Sequence, residues 1–413
     1  MDENECTVLQ FIYSGRATTR QELSAATGLS INRVSAAVGQ LAARGLVREE
    51  PVQDGLPGRP VVRFSVEPDA GRVIGLDIGG QQSRAVVSDL GGNVVAAVTR
   101  SSSVTPDRHV ILGEIVELVG GVCREAGIER EQVAALGVGV RGIVDATTGV
   151  VLGWPNTPTW AAAWTGVNLA RELREALGLD PIVVDDSVRA MAISAHRQGP
   201  ARGSANFLYV FLGTGVGSAL LIDGQPYYGG TGLAGELGHV TVLEDGPWCS
   251  CGNRGCLEVM ASTNAVMQRV RDRLAESYLL SVLREPFQRG QLTLEALIEA
   301  ARAGDKVAFQ ILDEAGTSVG KVVAIALNLL GPELVVLGGP LVQGDGIVLE
   351  AVRRQVRLRA LQHIANRTRI IGDDRGELCG ACGAALLATD ALFSAPDRVV
   401  RLRQPAAAAH GVA

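Results

Sequence analysis

Residues Ala234–Glu258 read AGELGHVTVLEDGPWCSCGNRGCLE. The stretch holds His239 and three cysteines, Cys249, Cys251 and Cys256, with Glu236 and Glu258 at its margins. Thiolates and a neutral imidazole are the ligands of a tetrahedral structural Zn²⁺, and four of them close its shell. A closed shell has no open position for a metal-bound water, so the ion would order a loop rather than perform chemistry. Gly252 and Gly255 stand where a backbone wrapped tightly around an ion needs small residues. Three buried free thiols beside a core histidine would be the plainer account. The density of ligands in an otherwise cysteine-poor chain favours zinc.

The run Gly-Glu-Leu-Gly-His followed by Cys-x-Cys-Gly-x-x-Gly-Cys-x-Glu resembles the signature of the ROK family, named for repressors, open reading frames and sugar kinases. The likeness extends over nearly the whole chain. It implies that His239, Cys249, Cys251 and Cys256 hold the zinc, and that Glu236, His239 and Glu258 contact sugar hydroxyls. Ligation of one ring nitrogen would fix the imidazole tautomer and leave the other nitrogen aimed at a ligand.

With 413 residues, the chain has room for two or three domains. Its 47% hydrophobic and 20% charged residues are ordinary for a globular protein. Met1–Glu5 is acidic and polar, unlike a signal peptide, and the most apolar run, Val322–Leu337, is broken by Asn328 and Gly331-Pro332. That run reads as a buried helix followed by a strand, so no membrane partner is expected. Seven cysteines, an odd number with three in the cluster, argue against a disulfide framework and for a cytoplasmic protein. A net charge of −6 means that any nucleic-acid binding must come from a local patch.

Residues 5–47 read as a helix-turn-helix. Val8, Leu9, Phe11 and Ile12 make Thr7–Ser14 amphipathic, ending near Gly15. Thr19-Arg-Gln-Glu22 is a capping box for a second helix that stops at Gly28. Ser30 then caps a third helix, Ile31–Arg44, with Ile31, Val34, Val38 and Leu41 on its packed face. Ser30, Asn32, Arg33, Ser35 and Ala36 project from its first turns, where a recognition helix meets base edges. Leu46–Val52 and Val61–Val66 alternate like the two strands of a wing. Between them Gly58-Arg59-Pro60 holds an arginine in a rigid extended peptide, suited to a narrow minor groove; the alternative is a turn arginine on phosphate. A winged helix-turn-helix ahead of a sugar-binding body resembles the ROK repressors, whereas family kinases lack the head.

From Arg72 the pattern changes to strands with glycine turns: Val73–Gly80, then Arg84–Asp89, Gly91-Gly92 and Val94–Arg100. A similar unit recurs at Phe207–Leu212, Gly213–Gly217 and Ser218–Ile222. Two hairpins with glycine tips half a chain apart suggest a duplicated α/β fold with a cleft between its halves. This resembles the actin-like ATPase architecture of ROK proteins, in whose kinases the two tips meet the phosphates of ATP.

The chain departs from the kinase pattern at two places. Asp-x-Gly-Gly-Thr becomes Asp77-Ile-Gly-Gly-Gln81, losing a hydroxyl at the phosphate. The second tip keeps its glycines, which a turn alone would also require. At Ile182–Arg189 family kinases carry Asn-Asp, whose Asp deprotonates the sugar hydroxyl; aligning the flanking Pro-x-Val-Val places Asp186 at the Asn and Ser187 at the Asp. A serine hydroxyl is no base at neutral pH. Asp186 would serve only through a slip that misplaces its carboxylate, because adjacent residues at a strand end point apart.

The resemblance implies a sugar site made of Gly142, Asn156, Asp186, Glu236, His239 and Glu258. Charged acceptors of this kind make strong hydrogen bonds to hydroxyls. Helix capping is the competing account of Asp185 and Asp186. Cys379-Gly-Ala-Cys382 has redox or metal spacing but opens an Ala-rich segment, so two buried small residues are expected.

The fold expected is therefore α/β: a winged helix-turn-helix (1–66), a first ROK lobe (67–187) with a helix over 376–393 packing back on it, a second lobe with the zinc loop (188–375), and a flexible tail (394–413). The function expected is a sugar-responsive DNA-binding regulator, a non-enzymatic homodimer or homotetramer that binds operator DNA and a sugar or sugar phosphate. An ATP-dependent sugar kinase, alone or bifunctional, is the rival, and a constitutive DNA-binding protein is the third reading.

Overall fold

Asp2 opens the first helix, α1 (Glu3–Tyr13), through a reciprocal capping box with Glu5 at 2.8 and 2.9 Å. The helix thus starts a turn earlier than the Thr7 expected from hydrophobic period alone. Thr19 and Glu22 form the second box ahead of α2 (Arg20–Thr27), which Gly28 ends at φ 71°. Ser30 caps α3 (Ile31–Ala43), which ends one residue short of the expected Arg44. Val34, Val38 and Leu41 are buried as expected, but Ile31 is 52% exposed and Ala37 takes its place. Ile31 is the first helical residue and projects beyond the packed face. Strands β1 (Val47–Val52) and β2 (Val61–Val66) then pair antiparallel from Val47–Val66 to Val52–Val61.

This computed structural model describes residues 1–52, 61–103, 105, 107–153, 164–276, 278–342 and 346–394. Arg59, Asn156 and the tail after Ser394 lie outside the described residues.

The body begins with β3 (Arg72–Ile78), β4 (Gln82–Asp89), β5 (Val94–Ser101), α4 (Arg108–Ala126) and β6 (Val133–Val140). A small sheet of β7 (Ile143–Asp145), β8 (Val150–Gly153) and β9 (Val167–Asn168) follows; period and turn signals did not announce it. Next come α5 (Leu169–Leu177), β10 (Ile182–Asp186) and α6 (Ser187–Gln198). The second half holds β11 (Phe207–Leu212), β12 (Val216–Ile222) and β13 (Gln225–Pro226). Helices α7 (Leu257–Ala261), α8 (Thr263–Ala275), α9 (Arg284–Gln288), α10 (Leu294–Arg302) and α11 (Lys306–Leu330) lead to β14 (Leu334–Gly338). The chain closes with α12 (Ile347–Arg359), α13 (Gln362–Ala365), β15 (Arg369–Gly372) and α14 (Cys379–Ser394). No described helix is long and apolar enough to cross a membrane.

The two large sheets have one topology. Their strand orders are β10-β6-β3-β4-β5 and β13-β12-β11-β14-β15, each an antiparallel meander extended by two parallel strands. The cleft lies where the glycine-tipped turns after β3 and β11 face each other.

Helix α14 packs across β3 and β6 and against α6. It begins at Cys379 rather than 376, because Gly376 at φ 85° takes the backbone off the helical path. The approach is backbone to backbone: a Cβ on Gly75 or Gly137 would strike the carbonyls of Ala381 or Ala384, and one on Gly383 would strike that of Ala190. Cys379 and Cys382 pack among apolar side chains of this layer.

The head joins the body through a continuous apolar cluster, Val8, Leu9 and Ile12 of α1 meeting Leu392 and Phe393 of α14. The Tyr13 ring stacks on Phe393 with centroids 4.3 Å apart. Its hydroxyl donates to Asp390 at 2.6 Å and accepts from Arg197, the penultimate residue of α6, at 2.6 Å. Arg197 also pairs with Asp390 at 2.7 Å. Burial pushes the Tyr13 phenol well up, so it stays protonated and donating.

Adding one methyl at the helix crossing should cost stability that the same change on an open face does not. Gly383→Ala is expected to lower unfolding stability by roughly 1–3 kcal/mol through overpacking. Gly113→Ala, with nothing near its added Cβ, should be neutral or gain about 0.5–1 kcal/mol. Denaturant unfolding of both variants checks this.

Candidate functional site

Between the lobes is a cavity of about 140 Å³, and the ends of several elements build it. Strands β6 and β10 run parallel with Val140 opposite Asp186, so Arg141-Gly142 and Ser187 leave the sheet side by side. The turn after β11 contributes Thr214–Gly217, the short turn Leu237–His239 brings Glu236 and His239, and the first turn of α7 brings Glu258.

Asp186 is the N-cap of α6: one carboxylate oxygen accepts from the N–H groups of Val188 and Arg189 at 2.9 and 3.1 Å. It both caps the helix and lines the cavity, so capping does not exclude a second role. Burial pushes its pKa up to about 7, opposed by the Arg189 guanidinium and reinforced by the neighbouring Asp185 carboxylate. Asp185 turns the other way and is 1% exposed. It pairs with Arg189 at 2.6 Å and accepts from the Tyr228 hydroxyl at 2.9 Å. The Ser187 hydroxyl is buried with no hydrogen-bond partner among the described residues.

Glu258 is 6% exposed and accepts from the Val216 N–H at 3.0 Å, which ties α7 to the second glycine turn. Gly215 is small because a Cβ there would lie 2.6 Å from that carboxylate. Burial raises the Glu236 pKa, opposed first by His239. Half of its side-chain surface (50%) stays open to water, which screens the effect.

His239, Cys249, Cys251 and Cys256 present one ligand atom each within 4.8 Å of one another. Cys251 Sγ to Cys256 Sγ is 3.7 Å, and Cys249 Sγ to His239 Nδ1 is 3.6 Å. Atoms about 2.3 Å from a common centre in tetrahedral array stand about 3.7 Å apart, so the four can hold a metal ion. Gly252 and Gly255 have φ of 93° and 60°, and a Cβ on Gly255 would strike the Leu243 carbonyl. The histidine turns Nδ1 toward the thiols and Nε2 toward Glu236, 3.9 Å away.

A second cavity of about 400 Å³ adjoins the first, lined among others by Asp77, Gln81, Arg84, Gly213 and Gly339. Asp77 is 1% exposed, and burial raises its pKa against the pull of Arg141 and Arg84. Arg84 pairs with Glu377 at the rim.

The model of the ROK family matches residues 73–391. The chain belongs to the ROK family. Its actin-like α/β body, duplicated as the sheet orders show, is the one that family shares. Among curated relatives of this ROK chain, the xylose repressor of Caldicellulosiruptor bescii is 27% identical over 86% of this chain and 88% of its own. The glucokinase of Thermotoga maritima is also 27% identical, over 76% of this chain and 96% of its own. A solved ROK family transcriptional regulator, a homologue of the E. coli MLC protein, superposes with a TM-score of 0.80 at 24% identity. It covers 96% of this chain and 98% of its own.

Of the candidate site residues, Gly142, Asp186, Glu236, His239 and Glu258 line one cavity, and Asn156 lies outside the described residues. On α3, Ser30, Asn32, Arg33 and Ala36 are exposed and Ser35 is half-buried. Sequence reasoning missed Arg141, Arg189, Thr214 and Tyr228. An arginine directly before Gly142 was the available signal for the first, and an i, i+4 Asp185–Arg189 spacing for the second.

Because the folded-state pKa of Asp186 is raised above that of an unfolded aspartate, its contribution favours folding at low pH. That contribution is lost as pH rises from about 4 towards about 7. Asp186→Asn keeps a good cap without the charge. The variant is expected to equal or exceed wild-type stability at pH 8 and to lose that advantage toward pH 4.5, read by thermal unfolding across the range.

Proposed function

We propose that this protein is a sugar-responsive DNA-binding transcriptional regulator, a repressor of carbohydrate-utilisation genes, whose body binds a sugar without phosphorylating it. One observation carries the reading. At the α6 N-terminus, in the position after Asp186 where the family's kinases carry an aspartate base, the chain has the buried hydroxyl of Ser187. General-base work requires a proton acceptor within reach of the attacking hydroxyl, which serine does not supply. Gln81 at the first tip and an Arg84–Glu377 pair in the second cavity are further departures from a nucleotide site. The relatives support the same side: the xylose repressor aligns over most of this chain, while the glucokinase leaves about a quarter of it uncovered.

The head, residues 1–66, is read as a winged helix-turn-helix. The exposed Asn32, Arg33 and Ala36, with Ser30 and Ser35, would meet base edges, and Arg59 the minor groove. Residues 67–187 and 188–375 are read as the two lobes, with the 187/188 boundary at the start of α6. The metal is read as structural Zn²⁺, which would hold Glu236 and Glu258 at one wall of the cleft and turn His239 Nε2 toward a sugar. Gly142, Asn156, Asp186, Glu236, His239 and Glu258 are read as its hydroxyl partners. Two copies of the chain would read two operator half-sites.

Helix α6 supplies the coupling. Its first residue lies in the cleft and its penultimate one, Arg197, holds Tyr13 of the head. Sugar closing the lobes would shift α6 along with its cap and so change the seating of the heads on DNA, a population shift between two arrangements.

Fluorescence anisotropy with operator DNA tests this, the full chain being titrated with a sugar panel while a coupled assay follows ATP turnover. One sugar is expected to change operator affinity about fivefold or more, within the usual range of coupling energies, with no phosphorylation above background. Sugar-dependent ATP turnover at catalytic rates would replace the reading by a kinase. DNA affinity indifferent to every sugar would reduce the chain to a constitutive binder.

A second variant isolates the coupling route. Arg197→Met is expected to leave sugar affinity within about threefold of wild type while reducing the sugar-induced change in operator affinity to about twofold or less. Calorimetry and anisotropy on the same sample measure both.

A further inference from the structure

Arg189 lines the same cavity as Asp186, Glu236 and Glu258, and it has no role in the reading so far. It is the third residue of α6, so it faces the Asp186 cap across the first turn of the helix. Only 5% of it is exposed, a degree of burial that arginine accepts when it is paired. The pairing comes from behind. Its Nε donates to Asp185 Oδ1 at 2.6 Å, and its Cζ lies over the Tyr228 ring, 5.1 Å from the centroid. Asp185 is itself fixed, accepting from the Tyr228 hydroxyl at 2.9 Å and from the Asp186 N–H at 2.7 Å. The contact to Asp185 uses one of the five guanidinium N–H donors. Neither terminal nitrogen of Arg189 is hydrogen-bonded among the described residues.

Asp186 is divided in the same way. Its Oδ1 accepts both cap N–H groups, while its Oδ2 has no hydrogen-bond partner among the described residues. No ion pair joins Asp186 to Arg189, although the two stand three residues apart and border one cavity. Each is anchored on its far side, Arg189 by Asp185 and Asp186 by the helix backbone, so neither can swing across to meet the other. A carboxylate oxygen that only accepts and a guanidinium edge that only donates are thus held side by side, each short of a partner. Two neighbouring hydroxyls of a sugar ring supply both partners: one donates to Asp186 and the other accepts from Arg189. Both bonds are charge-assisted, the stronger class.

We infer that Arg189 is a specificity-determining residue of the sugar site, which together with Asp186 selects a ring with a free vicinal diol and takes one of its two oxygens purely as an acceptor. The inference rests on the carbohydrate reading of the cleft and adds to it a residue and a feature of the ligand.

Calorimetry on the full chain tests it with glucose, xylose and N-acetylglucosamine, and with the monodeoxy and monofluoro analogues of each that binds. In the wild-type chain two adjacent ring positions should each lose about tenfold or more in affinity on deoxygenation, the worth of a charge-assisted hydrogen bond. Fluorine accepts weakly and cannot donate. It should therefore fail at the Asp186 position as deoxygenation does, and recover part of the loss at the Arg189 position. Arg189→Met should weaken the parent sugar about tenfold or more and abolish the cost of deoxygenation at the Arg189 position alone. Arg189→Lys, which keeps the charge, should restore part of the affinity. A purely structural role would instead weaken the parent and every analogue by one common factor. Deoxygenation costs that survive Arg189→Met overturn the inference. A wild-type scan with no acceptor position beside a donor position overturns it too, and that scan needs no variant to fold. Either result leaves the carbohydrate reading standing. If none of the three sugars binds, the carbohydrate reading falls and takes the inference with it.

Discussion

Helix α6 is gripped by charge at both ends, and those grips tie the cleft to the junction of head and body. At its start Asp186 accepts from two backbone N–H groups, while the buried Asp185–Arg189 pair locks the first turn to the strand that precedes it. At its end Arg197 joins Asp390 of α14 and Tyr13 of the head. Between these ends the helix has no slack, because Gly383 lets α14 approach the Ala190 carbonyl with no side chain intervening. A packed interface of this kind has discrete arrangements rather than a continuum. A buried ion pair is a weak source of net stability, since desolvation offsets much of its attraction. Its value here is orientation: Asp185 is turned away from the cavity and Asp186 is turned into it.

The second ordering device is the ligand cluster of His239, Cys249, Cys251 and Cys256. It joins a loop with little secondary structure to the start of α7, and α7 carries Glu258 to the glycine turn after β11. The four residues could hold a metal ion, and a coordinating centre there would fix several polar groups at once. The glycines around it serve the same end. Gly255 lets the loop cross Leu243, and Gly215 leaves room for the Glu258 carboxylate.

The duplicated sheets explain why charged groups of both signs, Arg141 and Asp77 among them, gather at the cleft. Each lobe presents a glycine turn to the gap, and a turn without side chains leaves the chemistry to whatever neighbours reach across. In this chain the group that reaches across is Arg141, which bonds the opposite lobe through Thr214.

Much of this was legible from residue order because it rests on local physics. The Thr19–Glu22 and Ser30 caps, the Gly28 turn, the apolar runs with glycine turns that become β3, β4, β11 and β12, and the Cys-x-Cys spacing all report interactions between near neighbours in the chain. Where local reading erred, the error was also local: Asp2 and Glu5 extended α1 backwards, and Ile31 proved to lie off the packed face. What only the tertiary structure decided are contacts between residues far apart in sequence. Arg141 with Thr214, Arg197 with Tyr13, and Tyr228 with Asp185 carry no periodic or spacing signal. Long polar side chains of this kind are equally at home in solvent, and a partner is assigned to them only when the sheets and helices have closed around the cleft.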